Sequence, residues 1–235
     1  MIKISRNAVE KSLLCKRCFF LEYKYKIKPH SVPFTLNNAV DNLCKKEFDI
    51  YRKKKKPHPY FLKYNIDAIP FDHPEIDNWR NNRKGIFFKD YKNKFHFFGA
   101  IDDVWIKPNG QLILSDIKAT SKNEFNWEVI SNYNFSKGYK RQIEMYQWLF
   151  RKNGFDVSNT GYLVYFNGLR NEKRFDQKLQ FEIHMIKLEC NDDWVQKAIL
   201  KACELLNNNS LPTASKKCAT CLYLKDRWKL KNKIS

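Results

Sequence analysis

Asp116 and Lys118 stand two positions apart, so on an extended strand their side chains share one face. Asp102, fourteen positions earlier (116 minus 102), falls on a preceding strand from which it can meet them across a ladder. Two carboxylates and a lysine are what phosphodiester hydrolysis asks of a protein. The carboxylates hold a divalent cation that polarises the phosphoryl oxygen and activates water; the lysine orients that water and offsets the developing charge. The tripeptide alone is a weak signal, because acidic-x-Lys recurs at Glu22-Tyr-Lys24, Asp90-Tyr-Lys92 and Asp176-Gln-Lys178. Context separates them. Only Asp116-Ile-Lys118 follows an apolar run, with Gly99-Ala-Ile-Asp102 before it and Gln142-x-x-x-Tyr146 after it. The ordinary alternative is a cross-strand salt bridge between exposed residues.

A second constellation is made of sulfur. Cys15-x-x-Cys18 and Cys218-x-x-Cys221 have the pair spacing of four-thiolate metal sites, and they act together only if the two ends of the sequence meet. The alternative is helix packing at one end and a reactive tail at the other. Cys44, Cys190 and Cys203 fall on apolar stripes or element ends and read as buried thiols. The histidines show no ligand spacing among themselves.

The elements that must position these groups follow from periodicity. Phe95 to Ile106 and Gln111 to Lys118 read as strands around the turn Pro108-Asn109-Gly110. Alternation places Ala100, Asp102, Val104 and Ile106 on one face, and Leu112, Leu114, Asp116 and Lys118 on one face of the next strand. Apolar faces that end in carboxylates contradict simple core burial and point to a site. Helices are expected from a Ser5 cap through Val9, Leu13 and Leu14, from about Leu36 to Tyr51, from Tyr139 to Asn153 with Gly154 closing it, and near Asp192 to Asn207. Further strands are expected at Gly161 to Asn167 and Leu179 to Leu188, with an irregular connection over 57–90 that holds a short helix near Asp77 to Asn82. No linker composition divides the chain. The expected organisation is one domain over 1–235, with 1–35 and 208–235 as a cysteine-bearing terminal subregion.

Lys and Arg outnumber Asp and Glu by 44 to 25, a formal charge of +19, which favours a polyanionic partner over mere solubility. Lys- and Asn-rich codon usage is the alternative source of the same excess. Arg52, Lys53, Lys54, Lys55 and Lys56 form a run that reads either as a phosphate-tracking strip or as a solvated loop. No stretch approaches the roughly 18 to 20 continuous apolar residues of a membrane span, and the opening MIKISRNAVEKSLLC is broken by charges. The expectation is a cytoplasmic chain with reduced cysteines.

Gly-x-Ile-Asp102, then Asp116-x-Lys118 at the end of the next strand, then Gln142-x-x-x-Tyr146 on the following helix resembles the RecB-like branch of the PD-(D/E)XK nucleases, which includes the CRISPR adaptation nucleases. The likeness runs from about Ser5 to Cys221. Strings such as Gly99-Ala-Ile-Asp-Asp-Val-Trp105 and Asp116-Ile-Lys-Ala-Thr-Ser121 are similar to a group of uncharacterised prokaryotic members. The resemblance implies an α/β fold, a restriction-endonuclease-like mixed central sheet flanked by helices, with the termini joined by a four-cysteine metal site. It implies magnesium or manganese on Asp102, Asp116 and the Ile117 carbonyl, Lys118 as the catalytic lysine, and Gln142 and Tyr146 over the site. Where many relatives carry a metal-binding histidine on the first core helix, this sequence has Asp41, which reads either as a hard-metal ligand or as a solvated surface residue. Asp103, of opposite strand parity, is expected behind the ligands or on the surface. For Cys15, Cys18, Cys218 and Cys221 the resemblance implies an iron-sulfur cluster. Relatives divide their cysteines one and three, however, and the two-plus-two division here leaves zinc open.

The function these readings imply is metal-dependent hydrolysis of DNA, exonuclease-like with a single-strand preference. A different class remains beside it: a catalytically silent nucleic-acid-binding module within a repair, defence or CRISPR-type assembly. A zinc-dependent DNA-binding regulator fits least, because the cysteine pairs lie too far apart in sequence to form a compact finger.

Overall fold

The computed structural model describes residues 1–33 and 35–234. In chain order the elements begin β1 (Ile2–Ser5), α1 (Arg6–Leu14), α2 (Lys16–Tyr25), α3 (Thr35–Lys54), α4 (Pro59–Lys63), β2 (Ile69–Pro70) and α5 (Ile76–Arg80). They continue with β3 (Ile86–Asp90), β4 (Phe95–Gly99), β5 (Asp103–Ile106), β6 (Leu112–Thr120), α6 (Trp127–Ser131) and α7 (Asn134–Lys152). The last are β7 (Val157–Gly168), β8 (Phe181–Glu189), α8 (Val195–Asn207) and α9 (Ala219–Ile234). Two compact units divide them: Met1–Val32, Lys89–Phe98 and Asp193–Ser235 form one, and Pro33–Phe88 with Gly99–Asp192 the other.

In the first unit β1 runs parallel to β4, with Ile2 opposite Phe95 and Ser5 opposite Phe98. Ser5 then caps α1, its hydroxyl accepting from the Ala8 amide at 3.2 Å. The chain turns sharply at Cys15, whose extended backbone ends α1 and opens α2. Periodicity did not announce α2, because Lys16, Arg17 and Lys24 interrupt its apolar face; Phe19 and Phe20 are nevertheless fully buried. The Val195, Ala198, Ile199 and Ala202 stripe buries α8 as its spacing requires. α9 was likewise unannounced, since its leucines and lysines are spread around the whole helix and define no single face.

The second unit is built on a mixed sheet ordered β2-β5-β6-β7-β8, parallel between β6 and β7 and antiparallel elsewhere. Ile113 and Ile117 of β6 share a buried cluster with Val40, Cys44 and Phe48 of α3, and with Trp105, Tyr162, Val164 and Phe166. Alternation turns Asp116 and Lys118 to the opposite face, where α7 lies. That helix packs closely, because a Cβ on Gly161 of β7 would stand 2.4 Å from Ile143 Cγ2. The fold is thus the expected mixed sheet with helices on both faces.

The single strand expected over Phe95 to Ile106 breaks in two at Ala100 to Asp102, and its halves enter different sheets. α5 takes over the freed backbone groups: the Ile101 amide donates to the Trp79 carbonyl at 3.1 Å, and Arg80 Nε donates to the Asp102 carbonyl at 3.0 Å. The Pro108-Asn109-Gly110 turn stands as expected, with Gly110 at a φ of 86°.

Candidate active site and cysteine cluster

The break before β5 is what aims Asp102. Its Oδ2 accepts from the Ile117 amide at 2.9 Å, and its Oδ1 accepts from Lys45 Nζ at 2.9 Å. Lys45 also donates to Asp41 Oδ2 at 2.7 Å, which brings α3 into the group. Asp116, almost wholly buried, is gripped by Lys118 Nζ on one oxygen and by Gln142 Nε2 on the other. Gln142 lies 3.4 Å from the Tyr146 hydroxyl one helical turn on, and Lys118 sits 4.6 Å over the Tyr139 ring. Asp41, Asp102, Asp116, Ile117, Lys118, Gln142 and Tyr146 are therefore brought together. Lys45 joins them unforeseen; its signal in the sequence is only its position one turn after Asp41.

Electrostatics explains how so much charge is tolerated. Burial works to raise the Asp102 carboxyl, yet Lys45, Lys118 and the Ile117 amide hold it below the usual carboxylate range. Asp41 is pushed up, first by burial and then by the charge of Asp102. Burial works to discharge Lys118, but Asp116 and Asp102 keep it above its ordinary value. One atom is left over: Asp41 Oδ1 is enclosed and has no hydrogen-bond partner among the described residues. A buried carboxylate oxygen in that state, on a residue that shares Lys45 with Asp102 and feels the charge of Asp102, fits a hard oxygen-seeking cation.

Of the two places open to Asp103, behind the ligands or on the surface, the structure has the first: it is buried at the centre of an ion-pair network. Its Oδ1 accepts from both Arg52 Nη2 and Arg80 Nη2, and Asp49 accepts from Arg52 Nε and Arg80 Nη1. Arg52 is therefore no phosphate contact. It is 4% exposed and spends its donors on Asp49, Asp103 and the Phe71 carbonyl. The helical period explains the difference: Arg52 follows Phe48 by one turn on the inward face of α3, whereas Lys53, Lys54, Lys55 and Lys56 are exposed at its end. Because Arg80 also binds the Asp102 carbonyl, this network braces the segment that carries Asp102.

In the first unit the four cysteine sulfurs converge. Cys18 Sγ lies 3.5 Å from Cys218 Sγ and 3.5 Å from Cys221 Sγ, and Cys15 Sγ lies 3.8 Å from Cys221 Sγ. All four are within 4.8 Å of one another and none is oxidised to a disulfide. The Ser215 amide donates to Cys15 Sγ at 3.5 Å. Although burial raises the Cys15 thiol, backbone amides of Cys18 and Ser215 outweigh it and bring the thiol down to about 7. The donor set and its closeness fit a thiophilic metal ion.

Comparison with known proteins gives the site a family. No curated protein matches the sequence. Among solved structures, the crystal structure of SSO0001 aligns with 89% of this chain and 78% of its own, at 16% identity and a TM-score of 0.43. The family model described as the PD-(D/E)XK nuclease superfamily matches residues 36–225, a span that takes in Asp41, Asp102, Asp116 and Lys118. On that match, the chain belongs to the PD-(D/E)XK nuclease superfamily.

Proposed function

We propose that this chain is a magnesium- or manganese-dependent deoxyribonuclease, exonuclease-like and preferring single strands, that works in the cytoplasm. The observation that carries the nuclease reading is that Asp41 and Asp102 share Lys45, that Lys118 holds Asp116, and that Asp41 Oδ1 is enclosed with no hydrogen-bond partner among the described residues. Asp41, Asp102, Asp116 and the Ile117 carbonyl would hold the cation. When bound, it polarises the phosphoryl oxygen and makes its water acidic enough to attack at neutral pH. Lys118, kept charged by two aspartates, orients that water and offsets charge developing on the phosphate. Gln142 fixes the rotamer of Asp116, and Tyr146 stands behind Gln142. Lys45 neutralises Asp41 and Asp102 and yields one or both when the cation enters. Lys53 to Lys56 offer phosphates a sequence-independent contact. The exonuclease-like and single-strand parts of the reading are supported by the motif order shared with the RecB-like branch.

The test is a gel assay with end-labelled single- and double-stranded DNA, with manganese, magnesium or chelator. We expect manganese-dependent shortening from an end, faster on single strands, and none from Asp116→Asn. Metal-independent binding without cleavage by the wild-type chain would replace the nuclease with a silent binding module.

A further inference from the structure

The resemblance in motif order implies an iron-sulfur cluster at the cysteines, and the sulfur geometry disagrees with it. We infer that Cys15, Cys18, Cys218 and Cys221 hold one mononuclear zinc ion. A single ion bound to four thiolates at about 2.3 Å places neighbouring sulfurs about 3.8 Å apart, the edge of a regular tetrahedron. Three of the separations here are 3.5, 3.5 and 3.8 Å. In a four-iron cluster each cysteine sulfur sits on its own iron and points away from the centre, so the sulfurs stand roughly 6 Å apart. All four atoms of this site lie within 4.8 Å.

A two-iron cluster is excluded by which sulfurs are close. There, two cysteines share each iron, so the short separations form two pairs with no member in common. Here Cys18 is close to both Cys218 and Cys221, and Cys221 is close to both Cys18 and Cys15. That chain of short separations has one centre. A single iron would share the geometry, but zinc binds more tightly than ferrous iron in the usual order of divalent metals, and four thiolates with no open position make a structural site. The inference stands on the cysteines alone, whether or not the chain cleaves DNA.

The experiment is elemental analysis of the full chain, produced in medium containing both iron and zinc and purified without oxygen, with sulfide determination and a visible spectrum. We expect one zinc per chain, no acid-labile sulfide and no visible absorption. Titrating the wild-type chain with a mercurial should release that zinc as four of its seven cysteines react. Cys18→Ser and Cys221→Ser should each lose the zinc; should either fail to fold, the wild-type titration decides alone. Iron with matching sulfide, one iron in place of zinc, or a metal-free chain each overturns the inference.

Discussion

The two metal-binding constellations meet the cost of burying ligands in opposite ways. At the oxygen site, Lys45 and Lys118 already stand against Asp41, Asp102 and Asp116, so two of the three carboxylate charges are offset before a cation arrives. At the sulfur site the thiols meet one another and the Ser215 amide, and their mutual closeness becomes favourable when a metal shares them. On the proposed reading the first arrangement would keep its shape while a catalytic ion came and went, and the second would make the ion part of the fold. Cleavage should therefore depend on the oxygen site and stability on the sulfur site.

The strongest way to break that division is at Lys118. Lys118→Ala should lower the single-turnover cleavage rate by about 10²–10³-fold, the usual worth of a group aimed at developing charge. It should also reduce stability, because Asp116 is 1% exposed and would keep only Gln142 of its two named partners. Measured cleavage at the wild-type rate would move the chemistry elsewhere.

Arg80→Ala asks whether the oxygen site needs its brace as well as its ligands. The change leaves Asp103, 2% exposed, with only Arg52 as a cationic partner and frees the Asp102 carbonyl. Breaking a buried ion pair costs about 3–5 kcal/mol. Denaturant unfolding should show a loss of that order, with weakened cleavage in what remains folded; an unchanged midpoint would mean that the network is dispensable.

How much of this was legible follows from the same residues. Asp102, Asp116 and Lys118 could be found because polar groups on apolar strand faces contradict local burial, and Gln142 and Tyr146 through the motif order that resembles the RecB-like branch, with helical spacing putting both on one face. Lys45 and Arg80 could not. In a chain with 44 basic residues, nothing local marks Arg80, whose partner carbonyl lies 22 positions away, and Lys45 offers only its place one turn after Asp41, with Asp102 another 57 positions on. The break at Ala100 to Asp102 was hidden because the partners of its backbone groups belong to α5, whose short helix carries little periodic signal. The cysteine pairs announced a shared metal through spacing; their mutual distances, which distinguish one ion from a cluster, exist only in the fold.

Cys221→Ala sharpens the comparison from the other side. Losing a ligand opens a metal-closed loop of roughly 200 residues, and closures of that length are worth about 2–5 kcal/mol. The melting temperature should fall by several degrees and stop responding to added zinc. Cleavage per folded molecule, measured well below that temperature, should stay within about twofold of wild type. A cleavage defect that persisted in fully folded protein would couple the two sites.

Lys45→Met tests the claim that lysines offset most of the oxygen site's charge in advance. The thioether keeps most of the side-chain bulk and removes the ammonium from Asp41 and Asp102. Without metal the protein should melt lower, because two carboxylates lose their partner. Manganese should then bind about tenfold more tightly, a gain of about 1.4 kcal/mol, since no ammonium competes for those oxygens. Isothermal titration reads both the affinity and its sign. Weaker binding would mean that Lys45 holds the carboxylates in place for the ion.

The smallest expected effect belongs to the run at the end of α3, where exposed charge replaces buried charge. Lys53 follows Asp41 by twelve positions (53 minus 41), about 18 Å along a helix rising 1.5 Å per residue, so the run is too far to touch the reacting phosphate. Replacing Lys53, Lys54, Lys55 and Lys56 with Ala should leave the melting temperature nearly unchanged, as exposed substitutions do. Its signature is in the salt dependence. Each phosphate contact removed should flatten the logarithmic salt slope for single-stranded DNA by about 0.7, with equal loss across sequences. The single-turnover rate at saturating DNA should stay put, because no residue at the cation is altered. A slope identical to wild type would make the run a solvated helix end, and DNA would have to be gripped by other members of the basic excess.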